Sequence, residues 1–191
     1  KQLLNYRGKP LIRHTAEVAI AAGSQPIHIV LGANAKRIAP HLTDLPIQIT
    51  ENLHWATGMA SSIQTGLHQM LTVTSTLDAV VLMVCDQPFV SPWQIQQLIA
   101  LYEMVQCPII ASEYADTLGV PALFDQTLFP DLLALEGDRG AKSLIHRHRT
   151  HCRTVPFPGG AIDLDLPQDV HCLLSQIRLE DSQKFPLRHD A

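Results

Sequence analysis

The sequence predicts an α/β fold in which helices flank a mostly parallel central sheet. Over the first 112 residues, short apolar stretches alternate with stretches of helical periodicity, which is typical of βα units. The stretch at 79–85, AVVLMVC, is apolar without alternation, as in a strand that is buried on both faces. A chain of 191 residues is long enough for one domain, which we place at 1–177, followed by a tail at 178–191.

The first half of the chain supplies most of the predicted elements. Apolar residues recur at helical spacing from Leu11 to Ala22, and Gly23 ends this helix. A capping box with proline in the first turn, SPWQ, begins another helix at Ser91. The remaining strands are at 27–31, 47–50, 79–85 and 108–112. A short helix is expected at 35–42, a second follows the loop at 51–62 and runs to about residue 71, and the helix that begins at Ser91 runs to residue 105.

The pattern is looser after residue 112. The segment at 118–124, LGVPALF, is apolar but contains Gly119 and Pro121, which predicts a strand bending over the sheet as a lid rather than a central strand. Short helices are expected at 128–135 and 141–148, short strands at 153–156 and 161–164, and a last helix from Pro167 to about 177.

Composition excludes several classes of protein. The net charge is -4 without any block of Lys and Arg, which argues against a nucleic-acid partner. A bilayer span needs roughly 20 consecutive apolar residues, so we expect no membrane insertion. The four cysteines lack a CxxC pair, which favours reduced thiols in a cytoplasmic protein over a zinc ribbon or a disulfide framework.

Acidic residues stand at two points where strands are predicted to end. Asp86 follows the strand at 79–85, at the edge of the sheet where α/β proteins bind ligands, so it is a candidate to hold a metal or a substrate proton. Asp163 and Asp165 would share one face of a strand, where their charges repel each other. A divalent ion such as Mg²⁺, held by Asp86 and one of these two residues, would relieve that repulsion. Simple turn or capping roles for Asp86 and Asp165 remain the alternatives.

Two predicted helix starts carry groups that suit an anion. GMASS at 58–62 offers backbone N–H groups and two hydroxyls, although serines there also serve as plain caps. GDRGAK at 137–142 could receive phosphate through Arg139 and Lys142, and a solvated turn is the alternative. The histidines at 146–151 alternate with arginines, which favours a basic surface over a zinc site.

Taken together, seven motifs resemble the molybdenum cofactor cytidylyltransferase family, a branch of the MobA-like nucleotidyltransferases. They are KQLL at 1–4, LGANA at 31–35, WATGMASSI at 55–63, CDQPFV at 85–90, GVPALF at 119–124, GDRGAK at 137–142 and DLDLPQD at 163–169. The resemblance covers 1–170 and implies a Rossmann-like nucleotidyltransferase fold with the triphosphate across the carboxyl ends of the strands. It also implies that the family's first strand and glycine-rich loop, AAGxSxRMG, are missing ahead of Lys1.

The resemblance implies roles for particular residues. Asp86 and Asp165 would hold Mg²⁺, and Lys1 would contact the triphosphate, which makes these three the catalytic residues. The other nucleotide-binding residues would be Gly32, Ala33, Gly58, Met59, Ser61 and Ser62. The pterin substrate would meet Gln87, Pro88, Gly119, Pro121, Asp138 and Lys142.

The implied activity is transfer of CMP from CTP to the terminal phosphate of molybdopterin bearing molybdenum, with release of pyrophosphate. Use of GTP instead of CTP is the alternative within this class. An alternative of another class is a non-catalytic chaperone that carries the cofactor to a molybdenum hydroxylase. In either class, a molybdenum hydroxylase is the expected recipient.

Overall fold

Strands and helices alternate through the first half of the molecule. The structure, a computed structural model, describes residues 1–74, 76–164, 166 and 168–169. It begins with a short antiparallel hairpin, β1 (Asn5–Tyr6) and β2 (Lys9–Pro10), which the sequence analysis did not predict. The elements that follow are α1 (Leu11–Ala21), β3 (His28–Leu31), α2 (Ala35–Ile38), β4 (Gln48–Glu51), α3 (Met59–Val73) and β5 (Ala79–Leu82), with 3-10 turns at Ala39–His41 and Trp55–Thr57.

The second half contains three strands and three helices within the described residues. They are α4 (Pro92–Val105), β6 (Ile109–Tyr114), β7 (Thr117–Asp125), α5 (Phe129–Leu133), α6 (Ala141–Arg147) and β8 (Cys152–Pro156). Helix α4 begins as predicted, because Ser91 Oγ accepts a hydrogen bond from the backbone N–H of Gln94 at 3.3 Å. The Gln94 side chain reaches β6, where its Nε2 donates to Ser112 Oγ at 3.2 Å.

The larger strands form two sheets. Strands β3 and β4 pair in parallel, and a second sheet has the order β5, β7, β6, β8. Strand β7 is antiparallel to both β5 and β6, while β6 and β8 are parallel. Three strands of the larger sheet therefore share one direction and β7 opposes them. The predicted α/β fold is confirmed, with a mixed sheet.

The prediction of a lid at 118–124 is wrong, because this segment forms the interior of β7. The strand is hydrogen-bonded on both sides and its residues Ala122, Leu123 and Phe124 are buried. Pro121 is tolerated because the β6–β7 register shifts between Ala111 and Ser112, so that the proline lies in a bulge. The Ser112 hydroxyl donates to the carbonyl of Pro121 at 2.6 Å, which satisfies that group inside the sheet.

The strand predicted at 161–164 is also wrong. The chain forms a 3-10 turn at Pro158–Ala161 and then runs irregularly, so Asp163 lies on no strand face. A glycine fits at position 160 of this turn, because a Cβ there would lie 2.5 Å from ring atoms of both Phe157 and Tyr114. Residues 165, 167 and 170–191 lie outside the described residues, and with them Asp165, all of the helix expected at 167–177 except residues 168–169, and the tail at 178–191.

Helix α1 contributes to an apolar cluster of each sheet. Its residues Ile12 and Ala16 join Leu31 of β3 in one cluster, and Val18 joins Ile95 of α4 in another, against which Val81 of β5 packs. Because buried apolar area is the main stabilising term in such contacts, α1 helps to connect the two sheets. Within the described ranges, none of the helices has the length and apolarity to cross a membrane.

Candidate functional site

A groove runs between β3 and β5 along the whole length of both strands, from residues 24–26 and 77–78 at their amino ends to their carboxyl ends. The whole groove has a volume of about 1350 Å³, and we call its part at the carboxyl ends the cleft. At the carboxyl end, the cleft is lined by the turn after β3, by Trp55 and Met59 near the start of α3, and by residues at the start of α6. This is the position at which open α/β sheets bind their ligands.

Asp86 lies beside the cleft, four residues after β5, and two distant parts of the chain meet it. The ammonium group of Lys1 donates to Asp86 Oδ2 at 2.5 Å. The backbone N–H of Leu164 donates to the Asp86 carbonyl at 2.8 Å, which brings the segment containing Asp163 to the same place. Both charged side chains are partly screened from water, with 35% of the Lys1 side chain and 18% of the Asp86 side chain exposed.

The donor groups around Asp86 suit a hard divalent ion whose shell a substrate completes. Among the described residues, no group of three or more His, Cys, Asp and Glu side chains could hold a metal by itself. Mg²⁺ is commonly held by one or two carboxylates together with substrate phosphates and water. Asp86 supplies one such carboxylate, and its Oδ2 is paired with the Lys1 ammonium group.

Cys85 precedes Asp86 and lines the cleft, but its chemistry excludes a role as a thiolate at neutral pH. Burial raises the pKa of the Cys85 thiol to about 11, and the charge of Asp86 adds to this effect. Thiolates are the nucleophilic and metal-binding form of cysteine. Cys85 is therefore a packing residue, and it contacts the apolar cluster around Leu31.

Gln87 and Pro88 point into the fold rather than into the cleft. Gln87 is 4% exposed, and its Nε2 donates to the Gly160 carbonyl at 3.0 Å and to the Tyr114 hydroxyl at 3.3 Å. Burial raises the pKa of Tyr114, to which the charge of Asp163 contributes, so this hydroxyl stays protonated. Gln87 thus connects the loop after β5 to the turn before Asp163. Tyr114 also belongs to the site, although no sequence pattern indicated it.

The start of α3 is organised by Asn52, another residue that the sequence analysis missed. The residue is 2% exposed. Asn52 Nδ2 donates to Ser61 Oγ at 2.8 Å and to Ser62 Oγ at 3.1 Å, and its Oδ1 accepts from the His54 N–H at 2.9 Å. Ser61 is buried in this network, whereas Ser62 also lines the cleft.

The loop before α6 packs directly against the start of α3. The Ala60 N–H donates to the Gly137 carbonyl at 3.1 Å, so this first-turn donor is not available to an anion. A Cβ at Gly58 would lie 2.3 Å from the same carbonyl, which explains why a glycine stands there. The two segments form one wall of the cleft.

The structure separates the described residues assigned by resemblance into those that line the cleft, those that are buried and three that lie beside it. Those lining the cleft are Gly32, Ala33, Met59, Ser62, Gly119, Asp138 and Lys142. Those buried in the fold are Ser61, Gln87, Pro88 and Pro121. Lys1 and Asp86 form their ion pair beside the cleft, and Gly58 supports its wall.

Comparison with known proteins gives relatives over most of the chain. Nicotine blue oxidoreductase of Paenarthrobacter nicotinovorans is 30% identical over 153 residues, which is 77% of this chain and 73% of that protein. The crystal structure of Rv0371c from Mycobacterium tuberculosis H37Rv has 31% identity and a TM-score of 0.73, and the match covers 92% of this chain and 89% of that one. A second structure of Rv0371c, in complex with manganese, has 29% identity and a TM-score of 0.73 over 92% and 91% of the two chains.

A more distant structure shares the fold. Molybdopterin-guanine dinucleotide biosynthesis protein A from Archaeoglobus fulgidus has 18% identity and a TM-score of 0.65, and the match covers 94% of this chain and 91% of that one. These neighbours confirm the predicted Rossmann-like nucleotidyltransferase fold. The family model described as MobA-like NTP transferase domain matches residues 1–152. The chain therefore belongs to the family of MobA-like NTP transferase domains, the nucleotidyltransferases that its motifs resemble.

Proposed function

We propose that the protein transfers CMP from CTP to the terminal phosphate of molybdopterin bearing molybdenum and releases pyrophosphate. The observation that carries this proposal is the meeting of Lys1, Asp86 and the 163–164 segment at the carboxyl end of β5. Membership of an NTP transferase family supports a nucleotide substrate. The motifs CDQPF, GVPALF and GDRGAK support the cytidylyltransferase branch and the pterin acceptor.

The reaction places modest demands on the protein. An oxygen of the acceptor phosphate forms a bond to the α-phosphorus of CTP, while the bond from that phosphorus to the bridging oxygen breaks and pyrophosphate leaves with the electron pair. Because the acceptor phosphate is already ionised at neutral pH, no general base has to remove a proton. Positioning and charge neutralisation supply most of the rate in such transfers.

The charged residues of the cleft suit these tasks. Lys1, beside Asp86, would bind the triphosphate, and Lys142 would offset charge from the opposite wall. Asp86 and Asp165 would hold a divalent ion, Mg²⁺ or Mn²⁺, and the manganese complex of Rv0371c supports an ion of this kind. When bound, such an ion supplies charge neutralisation at the α-phosphate and the leaving group.

The nucleotide would lie along the wall formed by the turn after β3 and the start of α3. Gly32 and Ala33 offer backbone groups there, and the Ser62 hydroxyl lines the same surface. GTP is the alternative donor, and a competition assay that follows which nucleotide is incorporated decides between them. A molybdenum hydroxylase is the proposed recipient of the product.

The test is pyrophosphate release with CTP, a divalent ion and molybdenum-loaded molybdopterin. We expect Asp86→Asn to lower the rate at least about a hundredfold, because the amide no longer supplies a charged ligand for the divalent ion that neutralises the reacting phosphates. Asp116→Asn is the matched control, since Asp116 is an exposed carboxylate in the turn between β6 and β7 and does not line the cleft. Pterin binding without turnover by the wild-type protein, or an Asp86→Asn rate equal to wild type, would contradict the proposal and favour the non-catalytic chaperone.

A further inference from the structure

Trp55 presents an aromatic surface at the mouth of the cleft. It lies in the 3-10 turn that precedes α3, and 50% of its surface is exposed. Met59, at the first position of α3, is 54% exposed and lines the same cleft. Ligand clefts commonly combine such apolar surfaces with a few polar groups that orient the ligand.

The surrounding contacts hold Trp55 in place. A Cβ at Gly32 would lie 2.6 Å from the Cβ of Trp55, so the tryptophan stem packs directly on the turn after β3. The Thr57 N–H donates to the His54 carbonyl at 2.9 Å, and His54 is itself bonded to the buried Asn52. A side chain anchored in this way loses little conformational entropy when a ligand binds.

The polar groups needed beside an aromatic surface are also present. Asp138 and Lys142 are exposed and line the cleft together with Trp55. Gly140 lies between Asp138 and Lys142 and allows Met59 to approach the backbone closely, because a Cβ at position 140 would be 2.5 Å from the Met59 sulfur. An indole and a thioether next to a carboxylate and an ammonium group match a flat heteroaromatic ring that carries polar edges and a phosphate.

We propose that Trp55 is the stacking platform for a flat heteroaromatic ring of a substrate, with Met59 extending the apolar surface beside Asp138 and Lys142. The identity of that ring rests on the proposed function, which offers two sources, the nucleobase and the pterin. Stacking of a base on an aromatic side chain is worth about tenfold or more in affinity. Trp55 would thus be a specificity-determining residue of the cleft.

The chain offers an internal control for a direct binding test. Its only other tryptophan, Trp93, is 59% exposed on α4 and lines a separate groove with Leu101, Met104 and Val155. In the Trp93→Phe variant all tryptophan fluorescence comes from Trp55. That protein is titrated in two arms, with CTP alone and with a pterin phosphate alone, and neither arm requires turnover.

We expect saturable quenching in one arm, which identifies the ring that stacks. Trp55→Leu should raise the KM for that substrate about tenfold with kcat changed much less, Trp55→Phe should restore most of the affinity, and Trp93→Phe should leave both KM values unchanged. Absence of quenching in both arms up to millimolar ligand, or unchanged KM values in Trp55→Leu, overturns the inference. Quenching in a protein that releases no pyrophosphate contradicts the proposed function while supporting the platform.

Discussion

A single buried amide, Asn52, joins three parts of the cleft. Its backbone N–H donates to the Leu31 carbonyl at 2.7 Å, which connects it to the turn after β3. Its side chain binds Ser61 and Ser62 at the start of α3 and the N–H of His54 in the loop between them. Since buried polar groups are costly when left unpaired, this residue should stabilise the cleft wall more than an exposed amide could.

We expect Asn52→Ala to lower the free energy of unfolding by about 2 kcal/mol, because the His54 N–H loses its buried acceptor. In a chain of this size, the loss corresponds to a fall in Tm of about 5 °C. Thermal unfolding followed by circular dichroism measures it. Gln69→Ala, which removes an exposed amide from α3, is the control and should change Tm little. Equal effects of the two substitutions would contradict the role assigned to Asn52.

His14 is the residue from which we expect a pH dependence. Its ring lies 5.0 Å from that of Tyr6, and its Nε2 lies 3.2 Å from the Pro88 carbonyl. Burial lowers the pKa of His14 below its ordinary value, and the same cause lowers the pKa of His28. In the unfolded chain these rings take up protons as the pH falls through about 6.5. In the folded protein the rings take up protons only at lower pH, so the free energy of unfolding keeps its full value above about pH 6.5 and falls below it.

The free energy of unfolding should therefore decline as the pH falls from about 7 to about 5. We expect His14→Gln to reduce this slope, since glutamine keeps a donor for the Pro88 carbonyl but takes up no proton. Urea unfolding at several pH values gives the slope directly. His68→Gln alters an exposed ring on α3 and should leave the slope as in the wild type. A slope unaffected by His14→Gln would show that the ring titrates alike in the folded and unfolded states.

At the scale of elements, β7 is the structural centre of the larger sheet. It pairs with β5 on one side and β6 on the other, and its next-to-last residue, Phe124, is fully buried. We expect Phe124→Ala to lower the free energy of unfolding by about 3–5 kcal/mol through lost burial and a cavity. Met104→Ala, at a 75% exposed position on α4, should change stability by less than about 0.5 kcal/mol. Urea unfolding of both variants provides the test, and a loss below about 1 kcal/mol for Phe124→Ala would contradict the central position of β7.

Local patterns predicted most elements but not the central position of β7. Helical periodicity located α1, a capping box located α4, and the apolar stretch at 79–85 located β5, which ends at Leu82. The segment of β7 was predicted as a strand but misplaced as a lid, because Gly119 and Pro121 weaken a central strand when considered alone. The compensating bulge depends on pairing with β6, which is a non-local contact.

The site shows the same division between local and non-local signals. Asp86, Ser62 and the GDRGAK loop carry recognisable motifs, and the structure brings them to one cleft or its border. Asn52 and Tyr114 carry none, because their importance comes from partners that are distant in sequence or on another element. The expected convergence of Asp86 with Asp165 stays a prediction, since Asp165 lies outside the described residues.

At the scale of the whole molecule, the two sheets contribute opposite sides of one cleft. The side formed by β3 carries Gly32 and Ala33, and the side formed by β5 leads to Asp86. Within the apolar core, α1 belongs to a cluster with β3 and to another against which β5 packs. A ligand that touches both sides would add a second connection between the sheets, so binding should stabilise the entire fold rather than one loop.

We therefore expect CTP with Mg²⁺ or Mn²⁺, at about a hundred times its Kd, to raise the free energy of unfolding by about 2.7 kcal/mol. For a chain of this length, that corresponds to a rise in Tm of about 5–10 °C. The measurement is thermal unfolding with nucleotide alone, with ion alone and with both. Asp86→Asn should keep a small shift with nucleotide alone and lose the additional shift that the ion produces, because its amide no longer supplies a charged ligand. If the ion adds equally to the wild type and to Asp86→Asn, the ion binds elsewhere and the proposed role of Asp86 is wrong.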